Sequence, residues 1–274
     1  MKTFALALGG GGARGLAHIA VIEALDEMGV KPVAIAGTSI GALVGAAYAA
    51  ALRGKDIRHH VLAFAHNRSE TMRRLIQARA GTLADLFAGA FGHAAQIDAE
   101  KFCAQFLPDA ISLDFSGLAI PLTVMATDLH RRQEAPLTSG PLHTALAASI
   151  AIPGLLRPVP IDGRVLIDGG ATNPLPFDRL RGLADCIVAV DVLSVPPAER
   201  GDIPHAWECM YTTLNIMGSA IVAAKLEHGT PDLLIRPNVG IFRTLDFYHA
   251  TAILRTADVV KAEVTERLGA LLAA

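Results

Sequence analysis

The sequence has few cysteines, almost no net charge and no excess of basic residues. Its three cysteines, Cys103, Cys186 and Cys209, are odd in number and far apart, without C-x-x-C or cysteine–histidine metal spacing. This pattern argues against a disulfide framework and favours a reducing, cytoplasmic location. The formal net charge of -2 gives no indication of a nucleic-acid partner, which normally requires a basic surface.

We predict neither a signal peptide nor a membrane span from the sequence. Met1–Leu8 carries one lysine and an apolar run that is too short for a signal-peptide core. Pro32–Leu52 has no charge and is long enough to cross a membrane. However, its glycines, its proline and its many alanines favour a strand, a tight turn and a buried helix. We therefore predict a soluble chain.

Composition predicts one well-packed domain. Hydrophobic residues make up 52% of the chain and charged residues 18%, which is ample for a large core and argues against disorder. There is no internal repeat, low-complexity tract or long linker. We predict a single domain over residues 1–274, with a helical insertion at about residues 55–106.

The first part of the chain reads as a β-α-β unit. Thr3–Leu8 is a short apolar run that ends in glycines, Leu16–Met28 follows a helical period, and Val33–Ala36 is a second short strand. A right-handed crossover makes these strands parallel, so their carboxyl ends share one edge of the sheet. The Gly9–Gly15 loop and the Gly37–Gly41 turn should therefore lie close together, where α/β sheets bind ligands.

The rest of the chain also alternates between strand and helix patterns. We predict strands at Pro121–Asp128, Arg131–Leu137, Val165–Ile167, Asp185–Val192 and Leu233–Arg236, and helices at Ala206–Glu227 and Leu245–Leu272.

Gly37-Thr38-Ser39-Ile40-Gly41 has the G-x-S-x-G form of a nucleophile elbow. A serine held in a sharp strand-to-helix turn presses the residues two positions away against the backbone, which requires glycine there. The helix that follows points its positive end at the serine oxygen. In a chain with 25 glycines the motif alone could be an ordinary turn, but the strand before it and the helix after it favour Ser39 as a nucleophile.

The loop Gly9–Gly15 contains G-x-G-x-x-G, which raises the possibility of a dinucleotide site. The predicted second strand ends without the acid that such a site needs for ribose, and no Gly-Lys-Ser/Thr follows for a phosphate loop. The alternative is that the loop offers backbone N–H groups to Ser39 as an oxyanion hole. Arg14 either locks this loop, meets an anionic group, or forms a structural salt bridge.

A nucleophilic serine needs a base, and two kinds of candidate are present. His205, His228 and His249 come late in the chain, but none lies in a predicted loop at a strand end. Asp168 follows an apolar strand and precedes Gly169-Gly170, which leaves its carboxylate at an open edge. A solvated aspartate is a poor base, but loss of water beside Ser39 would raise its proton affinity. Taken alone, Asp-Gly-Gly is more often a turn.

Read together, these blocks resemble the patatin-like phospholipase family, in its bacterial branch similar to the catalytic domain of neuropathy target esterase. The order and strand context agree from Leu6 to Pro176. The resemblance is carried by Gly10-Gly11-Gly12-Ala13-Arg14-Gly15, Gly37-Thr38-Ser39-Ile40-Gly41, Ala126-Thr127-Asp128-Leu129, Ala148-Ser149-Ile150-Ala151-Ile152-Pro153 and Asp168-Gly169-Gly170 followed by Asn173-Pro174.

The resemblance implies an α/β, three-layer patatin-like fold with a central, mainly parallel sheet flanked by helices. It also implies a lipid acyl hydrolase with a Ser39–Asp168 dyad, an oxyanion loop at Gly10–Gly15, supporting glycines Gly37, Gly41, Gly169 and Gly170, and no metal or cofactor. Expected substrates are phospholipids, lysophospholipids or other fatty-acyl esters. An acyltransferase and a non-catalytic lipid-binding or regulatory module remain as alternatives.

A basic stretch runs from Arg53 to Arg79, with seven basic residues against Asp56 and Glu70: Arg53, Lys55, Arg58, Arg68, Arg73, Arg74 and Arg79. It is interleaved with apolar residues, so it could rest on anionic lipid headgroups as a peripheral membrane contact. A solvated helical face is the simpler interpretation. The sequence gives no indication of the oligomeric state.

Overall fold

The computed structural model describes residues 2–66, 97–108, 110–193 and 206–274. The strands are β1 (Phe4–Leu8), β2 (Ala34–Thr38), β3 (Leu122–Asp128), β4 (Gln133–Leu137), β5 (Val159–Ile161), β6 (Arg164–Asp168), β7 (Cys186–Val190) and β8 (Leu233–Ile235). The helices are α1 (His18–Met28), α2 (Ile40–Ala49), α3 (Gly54–His66), α4 (Ala99–Phe106), α5 (Leu142–Ser149), α6 (Ala206–Glu227), α7 (Ala250–Ala257) and α8 (Val260–Ala273). Short 3-10 turns are formed by Gly12–Ala17, Phe115–Gly117, Gly169–Ala171, Phe177–Leu180 and Phe247–His249.

The strands form one mixed, mostly parallel sheet of eight strands in the order β5-β6-β3-β2-β1-β7-β8, with β4 also paired to β3. Strands β3, β2, β1, β7 and β8 run parallel. The parallel pairing of β1 with β2 confirms the predicted β-α-β unit. Strands β4 and β6 pair antiparallel with β3, and β5 pairs antiparallel with β6.

Both faces of the sheet are covered, which makes three layers. Residues Phe4, Leu6 and Leu8 of β1 join the larger core cluster with helices α1, α2, α7 and α8. The alternate residues Ala5 and Ala7 join a second cluster, which includes Val222 of α6. A strand sends successive side chains to opposite faces, so this division follows directly from the alternation of large and small apolar residues in β1.

Strand β3 is the element that brings the two halves of the site together. Strand β4 pairs along one edge of β3, whereas β2 and β6 pair one after the other along its other edge, with Thr38 opposite Met125 and Asp168 opposite Ala126. Ser39, which follows β2, and Asp168, which ends β6, therefore lie beside the same stretch of β3. The ends of β2 and β6 thus meet at consecutive residues of β3, about 3.3 Å apart along the strand, which brings the two side chains within reach of each other.

Two predictions about helices need correction or restriction. The region Leu245–Leu272 is a 3-10 turn followed by α7 and α8 rather than one helix, because α7 packs on the Gly12–Ala17 turn whereas α8 packs on α1. The expected insertion at residues 55–106 contains α3 and α4 at its two ends, and residues 67–96 lie outside the described part. Within the described ranges, no helix is both long enough and apolar enough to cross a membrane.

Candidate active site

Ser39 occupies a strained turn between β2 and α2. Its φ of 55° lies in a region that non-glycine residues rarely adopt, at a cost on the order of 1–3 kcal/mol. The flanking glycines allow this turn: a Cβ on Gly37 would lie 2.6 Å from Ala42 Cα, and a Cβ on Gly41 would lie 2.2 Å from the Leu8 carbonyl oxygen. The turn places the Ser39 hydroxyl at the amino-terminal end of α2.

The Ser39 hydroxyl donates a hydrogen bond of 2.7 Å to Oδ2 of Asp168. The other carboxylate oxygen, Oδ1, accepts the N–H of Gly170 at 2.7 Å. Both side chains are buried. Burial raises the pKa of Asp168 to about 6, although the hydrogen bonds from Ser39 and Gly170 lower it. A carboxylate with this pKa is ionised at neutral pH and is a stronger base than a solvated aspartate.

The carboxyl end of α5 holds both members of this pair through the backbone. The Ser149 hydroxyl accepts the N–H of Ser39 at 2.8 Å and donates to the carbonyl oxygen of Met125 at 2.6 Å. Two residues further on, the Ala151 carbonyl accepts the N–H of Asp168 at 3.0 Å. One short segment is therefore bonded to the serine and to the aspartate, and Ser149 also ties it to β3.

The glycine-rich loop lies beside Ser39 and lines the same cleft. A Cβ on Gly10 would lie 3.5 Å from Ser39 Cβ, so loop and elbow are adjacent, as the parallel strands predicted. The N–H of Gly10 is already bonded to the Pro174 carbonyl, and the N–H of Ala13 to the Thr244 carbonyl. Among the hydrogen bonds of the described residues, the N–H groups of Gly11 and Gly12 have no acceptor.

A buried histidine fixes the start of this loop. His18 Nε2 lies 2.7 Å from the Gly9 carbonyl oxygen. Burial lowers the pKa of His18 to about 4, so the ring is neutral near pH 7 and its Nε2–H donates to that carbonyl. The peptide between Gly9 and Gly10 is consequently bonded at both ends, at its carbonyl by His18 and at its N–H by Pro174.

The other residues of the predicted oxyanion loop are buried, and they are not among the described residues that line the cleft at Ser39. Ala13, Arg14 and Gly15 belong to this group. Nε and one Nη of Arg14 have no hydrogen-bond partner, and within the described part of the chain Arg14 forms no salt bridge. The structural salt bridge considered for Arg14 is therefore not observed there.

The supporting glycines at the aspartate also have a steric reason. A Cβ on Gly169 would lie 2.3 Å from the Met125 carbonyl oxygen, and a Cβ on Gly170 would lie 3.0 Å from Asp168 Oδ1. The late histidines are elsewhere: His228 and His249 are exposed and do not line the described part of the cleft. His205 lies outside the described residues.

Ser39 and Asp168 face a narrow cleft of about 150 Å³. Glycines of the loop line part of it, and the rest of its wall is largely apolar. The apolar side chains that line it are Ile152, Pro153, Ala171, Pro174, Leu193, Leu214, Met217 and Ile221. Such a wall suits a hydrocarbon chain rather than a polar ligand.

The predicted basic stretch is only partly described. Arg58 lies in α3 and pairs with Glu23 at 2.6 Å and with Asp258 at 2.5 Å, so it ties α3 to α1 and to the segment after α7. Arg68, Arg73, Arg74 and Arg79 lie outside the described residues. Arg58 therefore does not belong to a solvated helical face, as we had considered, but forms a partly buried ion pair.

Sequence reasoning gave no role to three parts of the site. Ser149 was noted only as part of a family block, and His18 only as part of a helix. Helix α6 was predicted as a helix but not as a wall of the cleft. The sequence does contain a feature that sets α6 apart from a solvated helix, because no charged residue lies between Glu208 and Lys225.

The fold and cleft define an α/β protein with a hydrogen-bonded serine–aspartate pair beside a glycine-rich loop. The model of the patatin-like phospholipase family matches residues 6–181. The chain therefore belongs to the patatin-like phospholipase family.

Individual relatives agree with this assignment. An uncharacterised NTE family protein of Mycobacterium tuberculosis is 40% identical over 190 residues, which cover 69% of this chain and 48% of that protein. Human patatin-like phospholipase domain-containing protein 6 is 30% identical over 271 residues, which cover 90% of this chain and 19% of that protein. The chain thus spans about half the length of the mycobacterial relative, and less of the human one.

A solved structure supports the fold. VipD from Legionella pneumophila superimposes with a TM-score of 0.53 at 14% sequence identity, covering 97% of this chain and 67% of that chain. At this identity the likeness concerns the fold alone. It agrees with the expected central sheet flanked by helices.

Proposed function

We propose that this protein is a serine acyl hydrolase that cleaves fatty-acyl esters of lipids through a Ser39–Asp168 dyad. The observation that carries the proposal is the hydrogen bond of 2.7 Å between the Ser39 hydroxyl and the Asp168 carboxylate, inside a cleft with an apolar wall. A serine bonded directly to a desolvated carboxylate has both a nucleophile and a proton acceptor in place.

The first half of the reaction is acyl transfer to the serine. Asp168 accepts the hydroxyl proton as Ser39 Oγ attacks the ester carbonyl carbon, and the N–H groups of Gly11 and Gly12 stabilise the negative oxygen. The tetrahedral intermediate collapses, the C–O bond to the alcohol breaks, and the alcohol leaves with the proton held by Asp168. The product on the enzyme is an acyl ester of Ser39.

The second half returns the enzyme to its starting state. Asp168, again a carboxylate, takes a proton from water as the water oxygen attacks the acyl carbon. The bond to Ser39 Oγ breaks, Ser39 regains the proton from Asp168, and a fatty acid leaves. The apolar cleft wall supports acyl substrates such as phospholipids, lysophospholipids or other fatty-acyl esters.

Labelling with a fluorophosphonate, followed by peptide mapping, tests the proposal. The reagent should modify Ser39 in the wild-type protein, and Ser39→Ala should abolish the modification. Asp168→Asn should reduce both labelling and ester turnover by at least about a thousandfold, because the serine then has no base. Circular dichroism and thermal melting would establish that both variants stay folded.

The outcomes separate the competing functions. Folded Ser39→Ala and Asp168→Asn proteins that keep full ester turnover would refute the dyad. A wild-type protein that neither reacts with the reagent nor cleaves any ester would indicate a binding or regulatory module. Formation of acyl glycerol when glycerol is present would identify an acyltransferase that uses the same acyl-enzyme.

A further inference from the structure

Helix α6 exposes an uncharged face that is unusual for a helix in water. No acidic or basic residue lies between Glu208 and Lys225. The largest exposed side chains in this interval are apolar: Met210 at 43%, Leu214 at 38%, Ile216 at 64% and Met217 at 57%. The exposed residues between Glu208 and Lys225, here called the exposed face of α6, are Cys209, Met210, Thr212, Thr213, Leu214, Ile216, Met217, Ala220, Ala223 and Ala224; Glu227, at the end of the helix, is exposed beyond this face.

Another long helix of the same molecule provides the comparison. Helix α8 also has one side against the core, but it exposes Glu266 and Arg267 toward water. Surface helices normally carry charged residues on their outer side, as α8 does. Between Glu208 and Lys225, α6 therefore differs from α8 in exposing no charge, and exposed apolar side chains grouped in this way mark an interaction site.

The exposed face of α6 is continuous with the rim of the cleft. Leu214 and Met217 are exposed and also line the cleft that holds Ser39 and Asp168. Met210 lies on the same side of the helix, at a spacing of four residues from Leu214. The helix is held in this position at its far end, where Lys225 bonds to Glu134 at 2.9 Å and to Asp178 at 3.1 Å.

We propose that the exposed face of α6 is the surface by which the protein rests on a phospholipid bilayer, with the cleft opening toward the lipid. The proposal rests on the proposed function and specifies where its substrate comes from. A bilayer fits this position because it covers the apolar side chains while delivering acyl esters to the cleft. A protein partner seated on the same surface would cover the entrance instead.

The chemistry of the face also defines the kind of lipid. Because the face carries no basic residue, its attraction to a membrane comes from burial of apolar area and not from charge. Binding should therefore occur on neutral phosphatidylcholine vesicles and should persist at high salt. Binding through the basic stretch Arg53–Arg79 would require anionic lipid and would weaken with salt.

Vesicle flotation tests the proposal in a form that is independent of turnover. The Ser39→Ala protein is used throughout, so that the lipid stays intact, and is mixed with phosphatidylcholine vesicles at about 0.1 M and about 1 M salt. Met210→Glu with Ile216→Glu places two charges on the face outside the cleft lining and should weaken partitioning by at least about tenfold. Val259→Glu, at an exposed apolar residue between α7 and α8, is the matched control and should bind as before.

A second measurement separates this proposal from the proposed function. With Ser39 restored, the double variant should hydrolyse a water-soluble short-chain ester at the wild-type rate but should lose activity on vesicles. The proposal is overturned if the parent protein ignores neutral vesicles, if its binding disappears at high salt, or if the double variant binds equally well. Light scattering that shows a dimer of the parent and a monomer of the double variant would assign the face to a second copy instead. If the wild-type protein did not hydrolyse the short-chain ester, the proposed acyl hydrolase activity would be contradicted. Flotation would still test whether the exposed face of α6 binds vesicles.

Discussion

At the scale of single residues, the site depends on a carboxylate placed where water is scarce. Asp168 accepts one hydrogen bond from Ser39 and one from the Gly170 backbone, and no arginine or lysine pairs with it among the described salt bridges. Burial is therefore the main influence on its pKa and raises it to about 6. This is the direction that a general base for a serine requires.

The pH dependence of kcat/KM should report this residue. Asp168 must be ionised to accept the serine proton, so we expect kcat/KM to be flat above neutral pH and to fall about tenfold per unit below pH ~6. A soluble short-chain ester measured across about pH 4–9, with stability followed in parallel, provides the profile. A midpoint near pH ~4 would mean that the carboxylate is solvated in the free enzyme and would contradict the role assigned to burial.

At the scale of elements, the spacing of Ser39 and Asp168 is set by parts that are distant in sequence. The ends of β2 and β6 pair with consecutive residues on one edge of β3, and the segment from Ser149 to Ala151 bonds to both Ser39 and Asp168. Ser149 is central because its hydroxyl is donor and acceptor at once, bonded to the Met125 carbonyl and to the N–H of Ser39. The strained backbone of Ser39 is stabilised by this contact.

Replacing Ser149 by alanine should slow the reaction of Ser39 without weakening substrate binding. Without the hydroxyl, the buried N–H of Ser39 loses its acceptor and the nucleophile can shift. We expect kcat to fall about 10- to 100-fold with KM changed less than about threefold, and stability to fall by about 1–3 kcal/mol. Steady-state kinetics and the rate of fluorophosphonate labelling would measure the first effect, and chemical denaturation the second.

A variant with matched instability controls for general loosening. Ala145→Gly lies in the same helix and should cost about 1 kcal/mol without touching Ser39, so its kcat should stay near the wild-type value. If Ala145→Gly and Ser149→Ala lost activity equally, Ser149 would be a stabilising residue only.

At the scale of the whole molecule, burial of the Asp168 charge in the site lowers the free energy of unfolding. At neutral pH the native state holds the charge of Asp168 away from water, whereas the unfolded state hydrates it. The pKa is higher in the native state, so the native state binds more protons between pH ~4 and pH ~6, and stability declines as the pH rises through that interval. Function and stability are thus opposed at this residue.

The Asp168→Asn protein should therefore be more stable than the wild type. At pH ~8 we expect a gain on the order of 1–3 kcal/mol in the free energy of unfolding, since the neutral amide oxygen can accept the N–H of Gly170 while the amide NH2 donates to Ser39 Oγ. The gain should shrink as the pH is lowered and vanish by pH ~4, where the wild-type carboxyl is also neutral. Urea denaturation of both proteins across this range is the measurement.

His18 gives this experiment a second readout. Burial lowers its pKa to about 4, so the unfolded state binds the additional proton between pH ~6.5 and pH ~4, and stability falls as the pH decreases through that window. In the wild type this loss opposes the gain from Asp168. The asparagine variant should therefore lose stability on acidification more steeply than the wild type, and parallel pH profiles for the two proteins would contradict the assigned pKa shifts.

The sequence by itself determined the local chemistry and the pattern of elements. Glycines at 37 and 41 predict a turn that only glycine permits, the apolar runs predict parallel strands, and parallel strands place the glycine loop beside the serine turn. Ser39 and Asp168 could be selected because each ends a strand and is followed by backbone that can turn sharply. Their catalytic roles remain proposals. Their pairing was implied by the family resemblance only, because the parallel-strand argument reaches the glycine loop and the serine turn but not Asp168, whose strand β6 runs antiparallel to β3.

Only the tertiary structure decided which groups actually meet. The N–H groups of Gly10 and Ala13 are already bonded, because they donate to the carbonyls of Pro174 and Thr244, which are far away in sequence. Ser149 and His18 gain their positions from contacts to Met125 and Gly9, and a single serine or histidine carries no local pattern that reveals such a contact. The physical reason is that long-range hydrogen bonds and desolvation depend on three-dimensional packing, whereas turns and strand periodicity depend on residues that are neighbours in sequence.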